Sequence, residues 1–102
     1  MVGDTREANE NFIESFHRED FYIEQARSHG VESGVNNPSP ATGSLISQIV
    51  KICDAKSIVE IGTGSGVGAL WLFAQNPNAV LTSIDSDREA ISLSRQVLEE
   101  AG

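Results

Sequence analysis

Two acidic residues lie where two short apolar segments end. Glu60 belongs to the segment Ser57–Ile61, which runs directly into a glycine-rich stretch at residues 62–66, and Asp85 ends a second apolar segment at residues 80–85. A strand that ends in a glycine-rich turn and continues into a helix is how an open α/β sheet receives a nucleotide-like ligand. The sequence therefore predicts a binding site formed by this turn and the two carboxylates.

The spacing of the glycines separates two kinds of ligand. Gly62, Gly64 and Gly66 form a G-x-G-x-G pattern, whereas the dinucleotide pattern G-x-G-x-x-G would require a glycine at Val67. Glu60 would also repel a pyrophosphate held at the start of the following helix. We therefore expect a ligand with an ammonium or sulfonium group. An NAD-binding oxidoreductase fragment and a non-catalytic cofactor-binding or dimerisation module remain as alternatives.

Asp85 follows the glycines by about twenty residues. A carboxylate at this point of a nucleotide-binding sheet can accept hydrogen bonds from both hydroxyls of a ribose. The alternative role is that of an N-cap, because a helix starts just after it. Ser86 or Asp87 can cap that helix instead, so we expect Asp85 to be available for the ribose.

Apolar periodicity and turn residues predict an α/β protein. We expect strands at residues 57–61 and 80–85, and helices at residues 4–18, 19–29, 42–54, 66–75 and 87–101. Asp4 or Thr5 would cap the first helix, and Gly30 would stop the second before a loop at residues 31–40. Both strands are almost wholly apolar, which is typical of strands covered on both faces. A strand, helix and strand within about thirty residues pair in parallel, as in a doubly wound sheet.

Composition excludes several classes of partner. The net charge is −8 and no cluster of Lys or Arg is present, so we expect no nucleic-acid binding and no membrane binding. No segment approaches the roughly 20 apolar residues of a membrane span. The single cysteine, Cys53, has no partner for an internal disulfide, which favours a cytoplasmic location. Its position in an apolar helical stripe predicts that it is buried.

Longer motifs resemble a known family. Residues 59–66 together with Ser83, Ile84 and Asp85 resemble the first two motifs of class I S-adenosylmethionine-dependent methyltransferases. The lead-in at residues 37–43 and 54–57 is similar to that of the catechol and caffeoyl-CoA O-methyltransferase-like family, including its bacterial members. The resemblance implies a Rossmann-like methyltransferase fold. It divides the chain into an N-terminal helical cap at residues 1–35 and the first part of the cofactor-binding domain at residues 36–102.

The resemblance also implies individual roles at the site. The backbone of the glycine turn and Glu60 would hold the methionine part of S-adenosylmethionine, Asp85 its ribose, and the loop before the third helix would lie near the cofactor carboxylate. The implied cofactor-binding residues are Glu60, Gly62, Thr63, Gly64, Ser65, Gly66, Asp85, Asn37, Pro38 and Ser39. One departure is Gly68, where relatives often carry a Ser or Thr hydroxyl for that carboxylate.

The implied reaction is methyl transfer to a hydroxyl of a small, catechol-like acceptor. In metal-dependent members, the ligands of a divalent cation such as Mg²⁺ and the adenine-binding residues lie in later segments, which this sequence does not contain. No catalytic residue and no metal ligand is therefore assigned here, and we expect an N-terminal half that is inactive alone. Its first strand would present an unpaired apolar edge, so we expect a homodimer or other self-association.

Overall fold

The computed structural model describes residues 2–102. Its elements, in chain order, are α1 (Val2–Phe16), α2 (Phe21–Glu32), α3 (Pro40–Ile52), β1 (Ser57–Ile61), α4 (Val67–Gln75), β2 (Val80–Ile84) and α5 (Arg88–Ala101). β1 and β2 pair in parallel, with Ser57 opposite Val80 and Ile61 opposite Ile84. The predicted parallel strand–helix–strand unit is thus confirmed.

The start of α1 and the end of α2 differ from their predicted positions. α1 starts at Val2, so Asp4 and Thr5 lie inside the helix and the predicted cap is wrong. α2 continues through Gly30 to Glu32, and Gly30 is buried. A Cβ at residue 30 would collide with the Asn37 amide and would lie 2.7 Å from Ser65 Oγ. Gly30 therefore permits close packing against the later chain and does not stop the helix.

Polar caps fix the starts of α2 and α3. The Asp20 side chain accepts a hydrogen bond from the backbone nitrogen of Ile23 at 2.9 Å. Ser39 caps α3, and its hydroxyl accepts from the nitrogen of Thr42 at 3.3 Å. Pro40 is the first residue of α3, where its missing N–H and fixed φ cost nothing. The predicted loop is therefore shorter than residues 31–40.

The core forms where α2, α4 and α5 meet. Its buried members are Ile23, Ala26, Val67, Trp71 and Val97. α3 packs on α4 through small residues, since Gly43, Ser44 and Ser47 are buried while its apolar stripe of Leu45, Ile46 and Ile49 is exposed. The ring of Trp71 lies so close to Gly43 that a Cβ there would collide with it. Close helix contact, and not the apolar stripe, decides which face of α3 is buried.

The described residues cover only one face of the sheet. Ile58 and Leu81 are half-buried, whereas Val59 and Ile61 on the opposite face are 67% and 86% exposed. The expectation of strands covered on both faces is therefore wrong for this part of the chain. The predicted burial of Cys53 is also wrong, because Cys53 follows the last residue of α3 and is exposed. Within residues 2–102, no helix is long and apolar enough to cross a membrane.

Candidate functional site

The carboxyl ends of β1 and β2 bring the two predicted acids to one edge of the sheet. Glu60 lies opposite Ser83 in the parallel register, and Ile61 lies opposite Ile84. The nitrogen of Gly62 donates to the Ile84 carbonyl at 2.7 Å and prolongs the pairing by one residue. The glycine turn and Asp85 therefore leave the sheet side by side, at the edge where open α/β sheets bind ligands.

Asp85 is held by backbone donors on both of its oxygens. Oδ2 accepts from the nitrogen of Gly64 at 3.2 Å and Oδ1 from the nitrogen of Asp87 at 2.9 Å. These backbone N–H groups, with Asp87 first, hold the pKa of Asp85 below its ordinary value. Asp87 is the N-cap of α5 and accepts from the nitrogen of Glu89, as the sequence analysis expected. The charged form of Asp85 is therefore favoured.

Glu60 has a different environment from Asp85. Burial is the main cause that raises the pKa of Glu60, and the charge of Asp85 adds to it, while a hydrogen bond from Ser83 opposes both. Ser83 Oγ donates to Glu60 Oε1 at 2.7 Å, and the same hydroxyl lies 2.7 Å from Thr63 Oγ1. Sequence reasoning missed this role of Ser83, although its position opposite Glu60 follows from the parallel register.

The loop before α3 lies against the glycine turn through Asn37. Asn37 Nδ2 donates to Ser65 Oγ at 2.7 Å, and Asn37 Oδ1 accepts from the nitrogen of Ser65 at 3.3 Å. Ser65 Oγ donates in turn to the Ala26 carbonyl of α2 at 2.7 Å. Ser65 is fully buried. Both side chains are therefore engaged in holding α2, the loop and the turn together.

Pro38 lies beside the site, and Ser39 follows it at the start of α3. Pro38 Cγ is 3.9 Å from the point where a Cβ of Gly68 would stand, at the start of α4. The Ser39 hydroxyl serves the first turn of α3, where it also donates to Thr42 Oγ1 at 3.1 Å. The structure thus brings Glu60, the glycine turn, Asp85, Asn37 and Pro38 together at one edge of the sheet, whereas Ser39 contacts the first turn of α3.

The three glycines of the turn adopt backbone conformations that favour glycine. Gly62, Gly64 and Gly66 all have positive φ, at 92°, 57° and 98°. A Cβ at Gly64 would lie 2.6 Å from Asn37 Oδ1, so this glycine admits the Asn37 side chain. A Cβ at Gly62 would meet no atom within 4 Å. Gly62 is therefore open on the side where a Cβ would stand.

Four backbone nitrogens of the turn donate hydrogen bonds inside the protein. The nitrogens of Gly62 and Gly66 donate to the carbonyls of Ile84 and Thr63. Those of Gly64 and Ser65 donate to the side chains of Asp85 and Asn37. A phosphate-binding loop must offer such N–H groups to its ligand. These four donors are engaged within the protein, and the carboxylates of Glu60 and Asp85 lie beside the turn.

A parallel strand–helix–strand unit with a glycine turn and an acid at each strand end is the arrangement in which open α/β sheets receive nucleotide-type ligands. The model of a family described as O-methyltransferase matches residues 13–102. This chain belongs to that O-methyltransferase family.

Relatives of this chain are longer than it is. A protein of Mycobacterium ulcerans (strain Agy99), named "Putative O-methyltransferase", is 39% identical over 85 residues, which cover 82% of this chain and 38% of that protein. The chain therefore spans well under half the length of the relatives that it matches. Among residues 2–102, no group of three or more His, Cys, Asp or Glu side chains could hold a metal ion.

Solved structures share the fold. A Corynebacterium glutamicum protein superposes with a TM-score of 0.82 at 24% identity, covering 96% of this chain and 47% of that chain. The O-methyltransferase TomG from Streptomyces achromogenes, involved in tomaymycin synthesis and solved in complex with S-adenosylmethionine, gives 0.73 at 27% identity, covering 84% of this chain and 40% of that chain. The Rossmann-like methyltransferase fold is thus confirmed, and residues 2–102 supply its N-terminal helices and two parallel strands.

Proposed function

We propose that this chain forms the donor-binding part of an S-adenosylmethionine-dependent O-methyltransferase. One observation carries the proposal: two carboxylates, Glu60 and Asp85, stand at the ends of adjacent parallel strands beside a turn that engages four of its N–H groups within the protein. A dinucleotide would bring a diphosphate to the start of α4, where the Glu60 carboxylate repels it. The NAD-binding alternative is therefore disfavoured.

The residues present fit a sulfonium donor. A Cβ at Gly62 would meet no atom within 4 Å, so the methionine part of the cofactor can approach the turn there. Asp85, whose pKa is lowered by backbone donors, accepts the two ribose hydroxyls, and Glu60 accepts the ammonium of the methionine part. TomG, which was solved with S-adenosylmethionine, has this fold and is 27% identical in sequence to the matched part of this chain. When bound, the cofactor supplies an electrophilic methyl group.

The contribution of this chain to methyl transfer is alignment. Fixing the donor against Glu60, Asp85 and the turn holds its methyl group in one direction, which contributes to the rate by removing orientational freedom before reaction. For the whole protein, the proposal includes a small, catechol-like hydroxyl compound as the acceptor and a divalent cation such as Mg²⁺ on which methyl transfer depends. It also includes the division of the chain at residue 35, a cytoplasmic location and self-association.

Methyl transfer itself tests the proposal. The full-length protein is incubated with S-adenosylmethionine labelled in its methyl group and with a catechol, with and without Mg²⁺. We expect label in the catechol ether product. Absence of transfer to catechols and to a panel of other small hydroxyl compounds would contradict the proposed activity.

A further inference from the structure

The Asn37 amide holds the middle of the glycine turn by both of its polar atoms. Oδ1 accepts from the nitrogen of Ser65 at 3.3 Å, and Nδ2 donates to Ser65 Oγ at 2.7 Å. Because Ser65 Oγ gives its single proton to the Ala26 carbonyl, it acts as the acceptor towards residue 37. An aspartate of the same shape would place an acceptor against a hydroxyl that has no second proton to donate. The contact therefore requires an amide.

Two glycines from different parts of the chain leave room for this amide. A Cβ at Gly64 would stand 2.6 Å from Asn37 Oδ1 and 3.3 Å from Val35 Cγ1. A Cβ at Gly30, inside α2, would collide with Asn37 Nδ2 and would stand 2.7 Å from Ser65 Oγ. Ser65 is fully buried and hydrogen-bonded to the amide, so neither side chain can move aside without breaking a hydrogen bond. The helix, the loop and the turn are packed around Asn37.

The nitrogen that precedes the Asn37 contact in the chain holds Asp85. The nitrogen of Ser65 donates to Asn37 Oδ1, whereas that of Gly64 donates to Asp85 Oδ2 at 3.2 Å. All three glycines of the turn have positive φ, and glycine has the least restricted backbone, so contacts from outside the turn are needed to keep it in one conformation. Asn37 supplies two such contacts. It thereby fixes the direction in which the Gly64 N–H points.

We infer that Asn37 is a positioning residue for the cofactor ribose: through the Gly64 nitrogen it sets the orientation of the Asp85 carboxylate that accepts the ribose hydroxyls. The inference rests on the proposed function and specifies it. The family resemblance, by contrast, implies a place for Asn37 near the cofactor carboxylate. A residue that touched the methionine part would contribute equally with and without the ribose hydroxyls, whereas Asn37 contributes through those hydroxyls.

Two ligands separate these roles. S-Adenosylhomocysteine and its 2′,3′-dideoxy analogue differ only in the ribose hydroxyls, so the ratio of their affinities for the full-length protein reports what the hydroxyls contribute. For the unchanged protein we expect a ratio of about tenfold or more in calorimetric titration, as hydrogen bonds to a carboxylate provide. In Asn37→Asp, which keeps the shape and loses the donor, the ratio should fall at least about threefold. An unchanged ratio would overturn the inference, even if both affinities fell together.

Two further variants test the cause of that fall. Asn36→Asp adds the same charge at the neighbouring exposed position and should leave the ratio unchanged. In an Asp85→Asn background, Asn37→Asp should lower the ratio no further, because both substitutions act on the same contact with the ribose. An equal fall in Asn36→Asp, or a further fall in the double variant, would contradict action through Asp85.

Hydrogen exchange of the Gly64 amide tests the contact without a ligand. In Asn37→Asp and Asn37→Ala this amide should exchange at least about tenfold faster, while the Gly62 amide, which donates to the Ile84 carbonyl, keeps its rate. An unchanged rate at Gly64 would overturn the inference even if neither variant bound the ligands. If the unchanged protein binds S-adenosylhomocysteine and the ratio does not depend on Asn37, the inference alone fails. If the unchanged protein does not bind S-adenosylhomocysteine, the proposed function fails and the inference fails with it.

Discussion

Glu19 and Trp71 join the N-terminal helices to the helix that follows the glycine turn. Trp71 Nε1 donates to Glu19 Oε2 at 2.7 Å, and Arg27 donates to both oxygens of the same carboxylate, also at 2.7 Å. The Glu19 side chain is only 7% exposed. The connection between α1 and α2 thereby fixes α4, whose first turn faces the proposed ligand.

Loss of the Glu19 charge should destabilise the protein. Glu19→Gln keeps an acceptor for Trp71 but leaves the half-buried Arg27 without its carboxylate, so we expect the free energy of unfolding to fall by about 1–3 kcal/mol. Trp71 is the sole tryptophan, so its fluorescence follows this site during denaturation. Glu10→Gln is the matched control, because its pair with Arg6 is exposed and should contribute under about 1 kcal/mol. Equal losses in the two variants would contradict the structural role of Glu19.

Loss of the Asp85 charge should lower the affinity for the ligand, whereas loss of the charge of its neighbour Asp87 should not. Asp85→Asn removes the charge that receives the ribose hydroxyls, and we expect the affinity for S-adenosylhomocysteine to fall about tenfold or more. Asp87→Asn keeps a good N-cap for α5 and should change the affinity less than about twofold. Calorimetric titration of both variants checks this. A similar loss in both would mean that the start of α5, and not a ribose contact, had been disturbed.

The raised pKa of Glu60 should give ligand binding a pH dependence. Glu60 must be ionised to hold an ammonium, so the affinity for S-adenosylhomocysteine should fall as the pH drops through the folded-state pKa of Glu60. That pKa lies above the ordinary glutamate value of about 4.3, while Asp85, whose pKa is lowered, remains charged there. In Glu60→Gln the affinity should be lower and flat over this window. A wild-type profile as flat as that of Glu60→Gln would contradict the role of Glu60.

The same shift makes an opposite prediction for stability without ligand. Because the folded state binds the Glu60 proton more tightly than the unfolded state does, the contribution of Glu60 is present at low pH and is lost as the pH rises through its folded-state pKa. Asp85 contributes in the other direction, with stability lost as the pH falls through its own lowered pKa. Urea denaturation of the protein and of Glu60→Gln, at pH values between the folded-state pKa of Asp85 and that of Glu60, separates the contributions of the two side chains to the free energy of unfolding.

The exposed face of the sheet should promote self-association. Val59, Ile61, Val80 and Ile84 are exposed together, and in residues 2–102 β1 pairs on one side only. Ile61→Lys places a charge on this face and should shift the protein towards monomer in light scattering. Ser92→Lys, on the exposed surface of α5, is the control for charge alone and should leave the mass unchanged. A monomer at high concentration for the unchanged protein would contradict self-association.

Residue types and spacing predicted the strands and helices that carry the site. The features that were not predicted depend on contacts between residues that are distant in the sequence. The strand–turn–helix around Gly62 and the Asp87 cap follow from residue type and spacing. Gly30 inside α2 could not be predicted, because its reason is the distant side chains of Asn37 and Ser65. The small buried face of α3 likewise depends on Trp71, which lies on another helix. The engagement of Asn37 with the turn was missed for the same reason.

We propose that this chain binds the donor of an O-methyltransferase, and calorimetric titration with S-adenosylhomocysteine, with NAD as the control ligand, is the decisive measurement. We predict binding of S-adenosylhomocysteine and none of NAD, with the former weakened about tenfold or more by Asp85→Asn. Binding of NAD without S-adenosylhomocysteine, or binding of S-adenosylhomocysteine that Asp85→Asn leaves unchanged, would contradict the account.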